Sequence, residues 1–239
     1  MERDILVLAA TAASLGFIHT VIGPDHYLPF IVISQARQWS LRKTLFVSFM
    51  AGLGHILSSV VLGFLGIALG IAVARLESIE SARGELAAWL LIGFGFAYFV
   101  WGLRRAWRTR PHAHVHLHEG IAHEHVHTHE SVEHLHVHGV EQGEKKNITP
   151  WVLFTIFVFG PCEPLIPLVM YPAARHSTAG VVLVASAFGL VTIATMLTII
   201  ALSAYGLRFV RLGRLERYSH ALAGLVIFVS GMGVRFLGL

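Results

Sequence analysis

Charge is what this sequence most lacks. Asp, Glu, Lys and Arg make up 13% of 239 residues while apolar residues make up 55%, and a soluble domain carries about 25% charged residues. A soluble globular class is therefore excluded, and the first partner the chain implies is a lipid bilayer. Cysteine is nearly missing: Cys162 stands alone, which excludes an internal disulfide and with it the simplest thiol-exchange enzyme. A continuous basic stripe is also missing. The formal charge of +4 is spread over short clusters between apolar runs, so no nucleic-acid partner is expected. There is no ATP-binding motif, and no helix offers the compact His-Glu-His pattern of a zinc enzyme. The chain is accordingly expected to be a membrane transporter and not an enzyme. The opening Met1-Glu2-Arg3-Asp4 lacks the cationic start of a secretory signal, and the apolar run after it is expected to be retained.

What is present is a series of long apolar runs. Crossing a bilayer core of about 30 Å takes roughly 20 apolar residues as helix. Six runs qualify: Ile5 to Gln35, Leu45 to Ala74, Leu86 to Leu103, Pro150 to Tyr171, Gly180 to Leu207, and Tyr218 to Leu239. The first is interrupted at Gly23-Pro24 and the fourth at Gly160-Pro161. Lys and Arg favour cytoplasmic connections. Thirteen of the eighteen fall in alternate connections: Arg37, Arg42 and Lys43; Arg104, Arg105, Arg108, Arg110, Lys145 and Lys146; Arg208, Arg211, Arg214 and Arg217. This places both termini outside the cytoplasm, in a protein integral to the plasma (inner) membrane.

The two interruptions resemble each other. Gly23-Pro24-Asp25-His26-Tyr27-Leu28-Pro29 lies opposite Gly160-Pro161-Cys162-Glu163-Pro164-Leu165-Ile166-Pro167, each in the first span of a three-span half. A weaker match follows between Gly52-Leu53-Gly54-His55 and Ala187-Phe188-Gly189-Leu190. Three spans is an odd number, so a duplicated half enters the membrane in the opposite sense, which is a transporter architecture. The expected fold is all-α and polytopic, with six transmembrane helices as two inverted three-helix repeats. The first helix of each repeat is broken at Gly-Pro. The expected divisions are 1–106 for the first repeat, 107–148 for a cytoplasmic histidine-rich loop, and 149–239 for the second repeat. Pro removes a backbone donor that lipid cannot replace, so such breaks belong inside the bundle.

Ionisable side chains within spans cost about 2.5–3.5 kcal/mol each on insertion scales and are functional candidates by default. Here they cluster around the breaks: His19, Asp25, His26, His55, Cys162 and Glu163. Imidazole, thiolate and carboxylate together suit Ni, Co, Zn or Fe and not Mg or Ca. Each has a plainer alternative. His55 can hydrogen-bond a neighbouring helix with Ser58 and Ser59 close by, Asp25 can cap the helix beginning at Tyr27, and Cys162 can be a packing residue. Thr192, Thr195 and Thr198 share a face of the fifth span, where hydrogen bonds between helices are the favoured reading. His220 is read as interfacial.

Eleven of the sixteen histidines fall between Arg110 and Gln142: His112, His114, His116, His118, His123, His125, His127, His129, His134, His136 and His138. Such a tract is a compositional metal binder. Its alternation could build a strand, but with few large apolar residues to bury, mobility is the expectation.

At these residues the chain resembles the nickel/cobalt transporter family known as NicO and the related UreH-like membrane proteins. The resemblance is carried by His19 with Gly23-Pro24-Asp25-His26, by Gly52-Leu53-Gly54-His55 with Ser58, by the histidine-rich loop, and by the Gly-Pro-Cys element near residue 160. It implies passage of Ni(II) or Co(II). The leading expectation is transport of a divalent transition metal by alternating access. His19, Asp25, His26 and His55, joined by Cys162 and Glu163, would hold the ion, with Ser58, Ser59, Thr192 and Thr195 in support. Ni or Co is favoured as cargo over Zn or Fe, no resident cofactor is expected, and a metallochaperone or a second copy is a candidate partner. The alternative is an exporter of sulfite or a small organosulfur anion, since half-helix N-termini attract anions.

Overall fold

The computed structural model describes residues 2–108, 112–118, 121–127, 149–160, 162, 164–174, 177–207 and 213–238. Their order is α1 (Glu2–Ile22), a 3-10 turn (Pro24–His26), α2 (Leu28–Ala36), α3 (Leu41–Ala68), α4 (Val73–Arg108), β1 (His112–His118), β2 (Ile121–His127), α5 (Thr149–Phe159), α6 (Leu165–Ala174), α7 (Thr178–Leu207), a second 3-10 segment (Gly213–Tyr218) and α8 (Ser219–Leu237). Among the described residues, five helical stretches are long and apolar enough to cross a membrane: Arg3–Ile22, Leu41–Ala68, Val73–Arg108, Thr178–Leu207 and Glu216–Leu237. The chain is a polytopic integral membrane protein. Helices α5 and α6, 11 and 10 residues long, are each too short to span alone.

Both interruptions break their helices. α1 ends at Ile22, immediately before Gly23-Pro24, and α5 ends at Phe159, immediately before Gly160. The third span departs from expectation. α4 begins at Val73 and not near Leu86, so Arg75, Glu80 and Arg83 lie within a helix of 36 residues. The buried positions Leu76, Glu80, Gly84, Ala87, Leu91, Gly95, Tyr98 and Gly102 follow one stripe at helical spacing, which explains the extension. A hydropathy window that stops at charged residues misses it.

α1 packs on α7, α3 on α5 and α6, α2 on α8, and α4 on α8 as the most extensive pairing. Small residues permit the last of these. Gly95 and Gly102 of α4 meet the main chain of α8 at Phe228 and Ala221, and Gly224 of α8 meets the main chain of α4 at Phe99. A Cβ at any of the three would land on backbone. The largest apolar cluster joins Phe30, Ile33, Leu91, Leu153, Phe157, Met196 and Ile227, so α2, α4, α5, α7 and α8 share one core. Phe46, Val61, Trp89, Leu190 and Leu202 remain exposed, as expected of surfaces that face lipid.

In the connection after α4, residues 112–118 and 121–127 take the strand form that the alternation allowed. β1 and β2 pair antiparallel, with His112 opposite His127, His114 opposite His125 and His116 opposite His123. The alternation of His with Ala, Val and Leu in β1 and with Glu and Val in β2 is a strand period. His129, His134, His136 and His138 lie outside the described residues, as do Pro161 and Glu163.

Candidate metal centre

The first break presents His26. Pro24 has no N–H with which to continue α1, and the chain turns once: Gly23 N–H donates to His19 O at 2.9 Å and His26 N–H to Gly23 O at 3.2 Å. His26 is 4% exposed. Its Nδ1 lies 3.1 Å from both Gly23 O and Asp25 Oδ1. Both are acceptors, so Nδ1 carries the hydrogen and Nε2 of the neutral ring keeps a free lone pair. Among the described residues that Nε2 is buried without a partner, and so is Nε2 of His19. Asp25 therefore orients His26. The alternative role of Asp25 as a cap of the next helix is not seen: α2 starts at Leu28 with Tyr27 as its cap residue and no side-chain cap bond.

The second break presents Cys162, fully buried. His55, from the middle of α3, reaches it across the bundle. His55 Nδ1 donates to Phe157 O at 3.2 Å, and its Nε2 faces Cys162 Sγ at 3.0 Å. A carbonyl that fixes the tautomer and leaves the other nitrogen bare is the usual support of a metal-bound imidazole. Gly160 lets the chain pass close to this ring: a Cβ would stand 3.0 Å from His55 Nδ1.

The two breaks meet. One donor atom each from His19, His55 and Cys162 lies within 4.8 Å of the others. His26 sits between the other two rings, with ring centroids 4.6 Å from His19 and 5.3 Å from His55. Tetrahedral sites with bonds of about 2.0–2.3 Å hold donors roughly 3.3–3.8 Å apart, so a contraction of about 1 Å would close this group on an ion. Leaving a buried nitrogen unpaired costs about 1–3 kcal/mol. Two such nitrogens beside a thiol suit a borderline metal ion.

Two cavities adjoin the group. A small one of about 30 Å³ lies against His26, His55, Phe157 and Gly160, with room for water. A larger one of about 330 Å³ is lined by His19, Asp25, His26, Glu85, Arg235 and Gly238, among others. It leads from the donors toward the Ser81–Ala88 stretch of α4 and the end of α8. Glu85 and Arg235 form an ion pair at 2.9 Å within it.

Sequence reasoning missed Glu80 and Arg83. Glu80 is fully buried and paired with Arg83. Its Oε2 accepts from the Cys162 backbone N–H and the Ser59 hydroxyl, both at 3.2 Å. Arg83 donates to Ser58 Oγ at 2.7 Å and to Val158 O at 2.9 Å. Ser58 and Ser59 thus serve this ion pair and not the His55 ring. The available signal was Glu80 falling on the buried stripe of α4, with Arg83 one turn later.

Of the other expected residues, Thr192 is buried, its hydroxyl without a partner among the described residues, and touches the α1 approach at Gly16. Thr195 is half-buried. Thr198 bonds Ala194 O within its own helix, which corrects the expectation of a bond between helices. His220 meets the Tyr98 hydroxyl at 2.9 Å.

Residues 28–233 match a family model described as cytochrome c biogenesis protein transmembrane region. This overturns the resemblance to the nickel/cobalt transporter and UreH-like proteins. The residues that carried that resemblance are Gly-Pro breaks and buried histidines, which any bundle of broken helices around a polar centre can contain. No curated protein and no solved structure gives a significant match.

Proposed function

The chain belongs to the family of cytochrome c biogenesis protein transmembrane regions, and from the buried donors we propose that this member carries a divalent transition-metal ion across the membrane. The observation that carries the proposal is the convergence of His19, His55 and Cys162 within 4.8 Å, with His26 Nε2 buried beside them and without a partner among the described residues. The ion is cargo. A mixed imidazole and thiolate set favours Ni(II), Co(II) or Zn(II), and the Irving–Williams order leaves the choice among them to geometry and supply. The ion would pass through the large cavity, where Asp25 supplies a carboxylate beside His26.

The helix pairings support an inverted repeat of six spans, with α5 and α6 as the broken sixth. Exchanging the halves turns the α1–α7 contact into the contact of α5 and α6 with α3, and turns α2–α8 into the contact of α5 and α6 with α4. α3–α7 and α4–α8 map onto themselves. This pattern belongs to alternating access by rocking of two halves. By the Lys and Arg distribution the large cavity opens on the non-cytoplasmic side and the histidine-rich hairpin lies in the cytoplasm, where it would hold metal at the mouth.

Reconstituted protein should accumulate Zn(II), Co(II) or Ni(II) in vesicles in preference to Mn(II), and His26→Ala and His55→Ala should abolish this flux. A monodisperse wild-type preparation that moves none of these ions refutes the proposal.

The family description favours a second reading, in which Cys162 takes part in thiol chemistry for cytochrome maturation. With one cysteine in this chain, the disulfide would have to form with another molecule. Full burial of Cys162 weighs against that. Trapping of a mixed disulfide at Cys162, lost in Cys162→Ser, would establish this reading in place of metal transport.

A further inference from the structure

A buried ion pair is a poor way to stabilise a fold, since desolvation offsets most of the attraction and apolar replacements often do as well. Glu80 and Arg83 are placed as if for another purpose. The Glu80 carboxylate holds the backbone N–H of Cys162, and the Arg83 guanidinium holds Val158 O and reaches Gly160 O at 3.5 Å. These are the groups that the second break frees from α5, and lipid cannot satisfy them. The same pair grips α3, through Ser59 to Glu80 and through Ser58 to Arg83, and Ser58 also donates to the His55 carbonyl at 2.7 Å. His55 in turn is tied to Phe157 O. One charged pair on α4 thereby fastens both strands of backbone that present the sulfur and the imidazole.

We propose that Glu80 and Arg83 are the positioning residues of the metal centre, locking Cys162 and His55 in one frame and so setting its preference for thiophilic ions. With its N–H held, the Cys162 sulfur is left with χ1 as its main freedom. The guanidinium fork supplies several directed donors at once, which an ammonium on a flexible stem does not reproduce. The inference rests on the metal reading above and is tested so that the two fail separately.

Co(II) is added to the full-length protein in detergent, and the near-ultraviolet cobalt–thiolate absorption is recorded. Loop histidines contribute no such band. Zn(II) and Mn(II) are then compared as displacing ions. Wild type should show the band and Cys162→Ser should lack it; a wild type without the band refutes the metal reading itself. Glu80→Gln and Arg83→Lys should each weaken or shift the band and lower the Zn-to-Mn displacement ratio at least about tenfold, the size seen when groups that orient metal ligands are lost. The double variant Glu80→Gln/Arg83→Gln leaves no unpaired buried charge and should remain monodisperse while losing the band. Should the double variant not fold, Arg83→Lys, which keeps the charge, decides. A wild-type band and ratio in whichever of these variants folds overturns the positioning role.

Discussion

Replacing Cys162 by Ser is the most discriminating single change at the centre. The side chain is fully buried and faces His55 Nε2 at 3.0 Å, so the hydroxyl inherits the volume and the hydrogen bond. The fold should lose no more than about 1 kcal/mol. The metal should lose far more. A thiolate becomes an alcohol that does not ionise, and one of three donors within 4.8 Å changes from soft to hard. Loss of a group that merely orients a ligand costs roughly 10–100-fold in affinity. Loss of the thiolate should therefore cost Zn(II) or Co(II) at least about 100-fold, or about 2.7 kcal/mol. Mn(II), which takes oxygen donors, should be much less affected. The assay is calorimetric titration in a background where the eleven histidines from His112 to His138 are Asn, so that the core alone is read. Equal losses for Zn(II) and Mn(II), or no loss for either, would refute thiolate coordination.

Three further outcomes are expected. Gly224→Leu forces a side chain onto the Phe99 main chain, while Gly93→Leu enters open space. The first should lower thermal stability in detergent by about 1–3 kcal/mol or more, the second should not, and equal stability of the two would refute the close α4–α8 packing. Tyr98→Phe removes the hydroxyl that accepts from Arg37 Nε at 3.3 Å and meets His220 Nδ1 at 2.9 Å. Denaturation midpoints should report a loss of roughly 1–3 kcal/mol, and no loss would mean that water replaces the phenol. Cysteine introduced at Arg105 should react with an impermeant thiol reagent only from the cytoplasmic side, and at Glu2 only from the other, against a low background from buried Cys162. The reverse pattern would invert the proposed orientation.

The membrane class was legible because hydropathy is a sum over long windows and tolerates local error. Both breaks were legible because Gly-Pro acts locally on the backbone. The start of α4 was not. Glu77, Glu80, Arg83 and Glu85 read as a polar connection, whereas the structure buries Glu80 by giving its carboxylate three donors from Arg83, Ser59 and Cys162. Long-range satisfaction of this kind has no signature in local composition. Nor could sequence show that His55 lies against Cys162, 107 positions away. The family assignment failed for a related reason: buried histidines and Gly-Pro breaks report a polar centre in a broken bundle and do not specify lineage.

The meeting of the two breaks also bears on how the protein is made. His19, His26 and His55 leave the ribosome well before Cys162, and α1 waits for α7 as α4 waits for α8. Until α5 and α6 insert, the carbonyls that anchor Arg83 and the thiol opposite His55 do not exist, and Glu80 sits in the membrane without one of its donors. The first half is thus a set of incomplete surfaces during synthesis. Cutting the chain in the connection between α4 and α5, while supplying both pieces in one membrane, leaves every partner available. Truncation there leaves a membrane-inserted fragment with unpaired polar groups, of the kind that quality control removes.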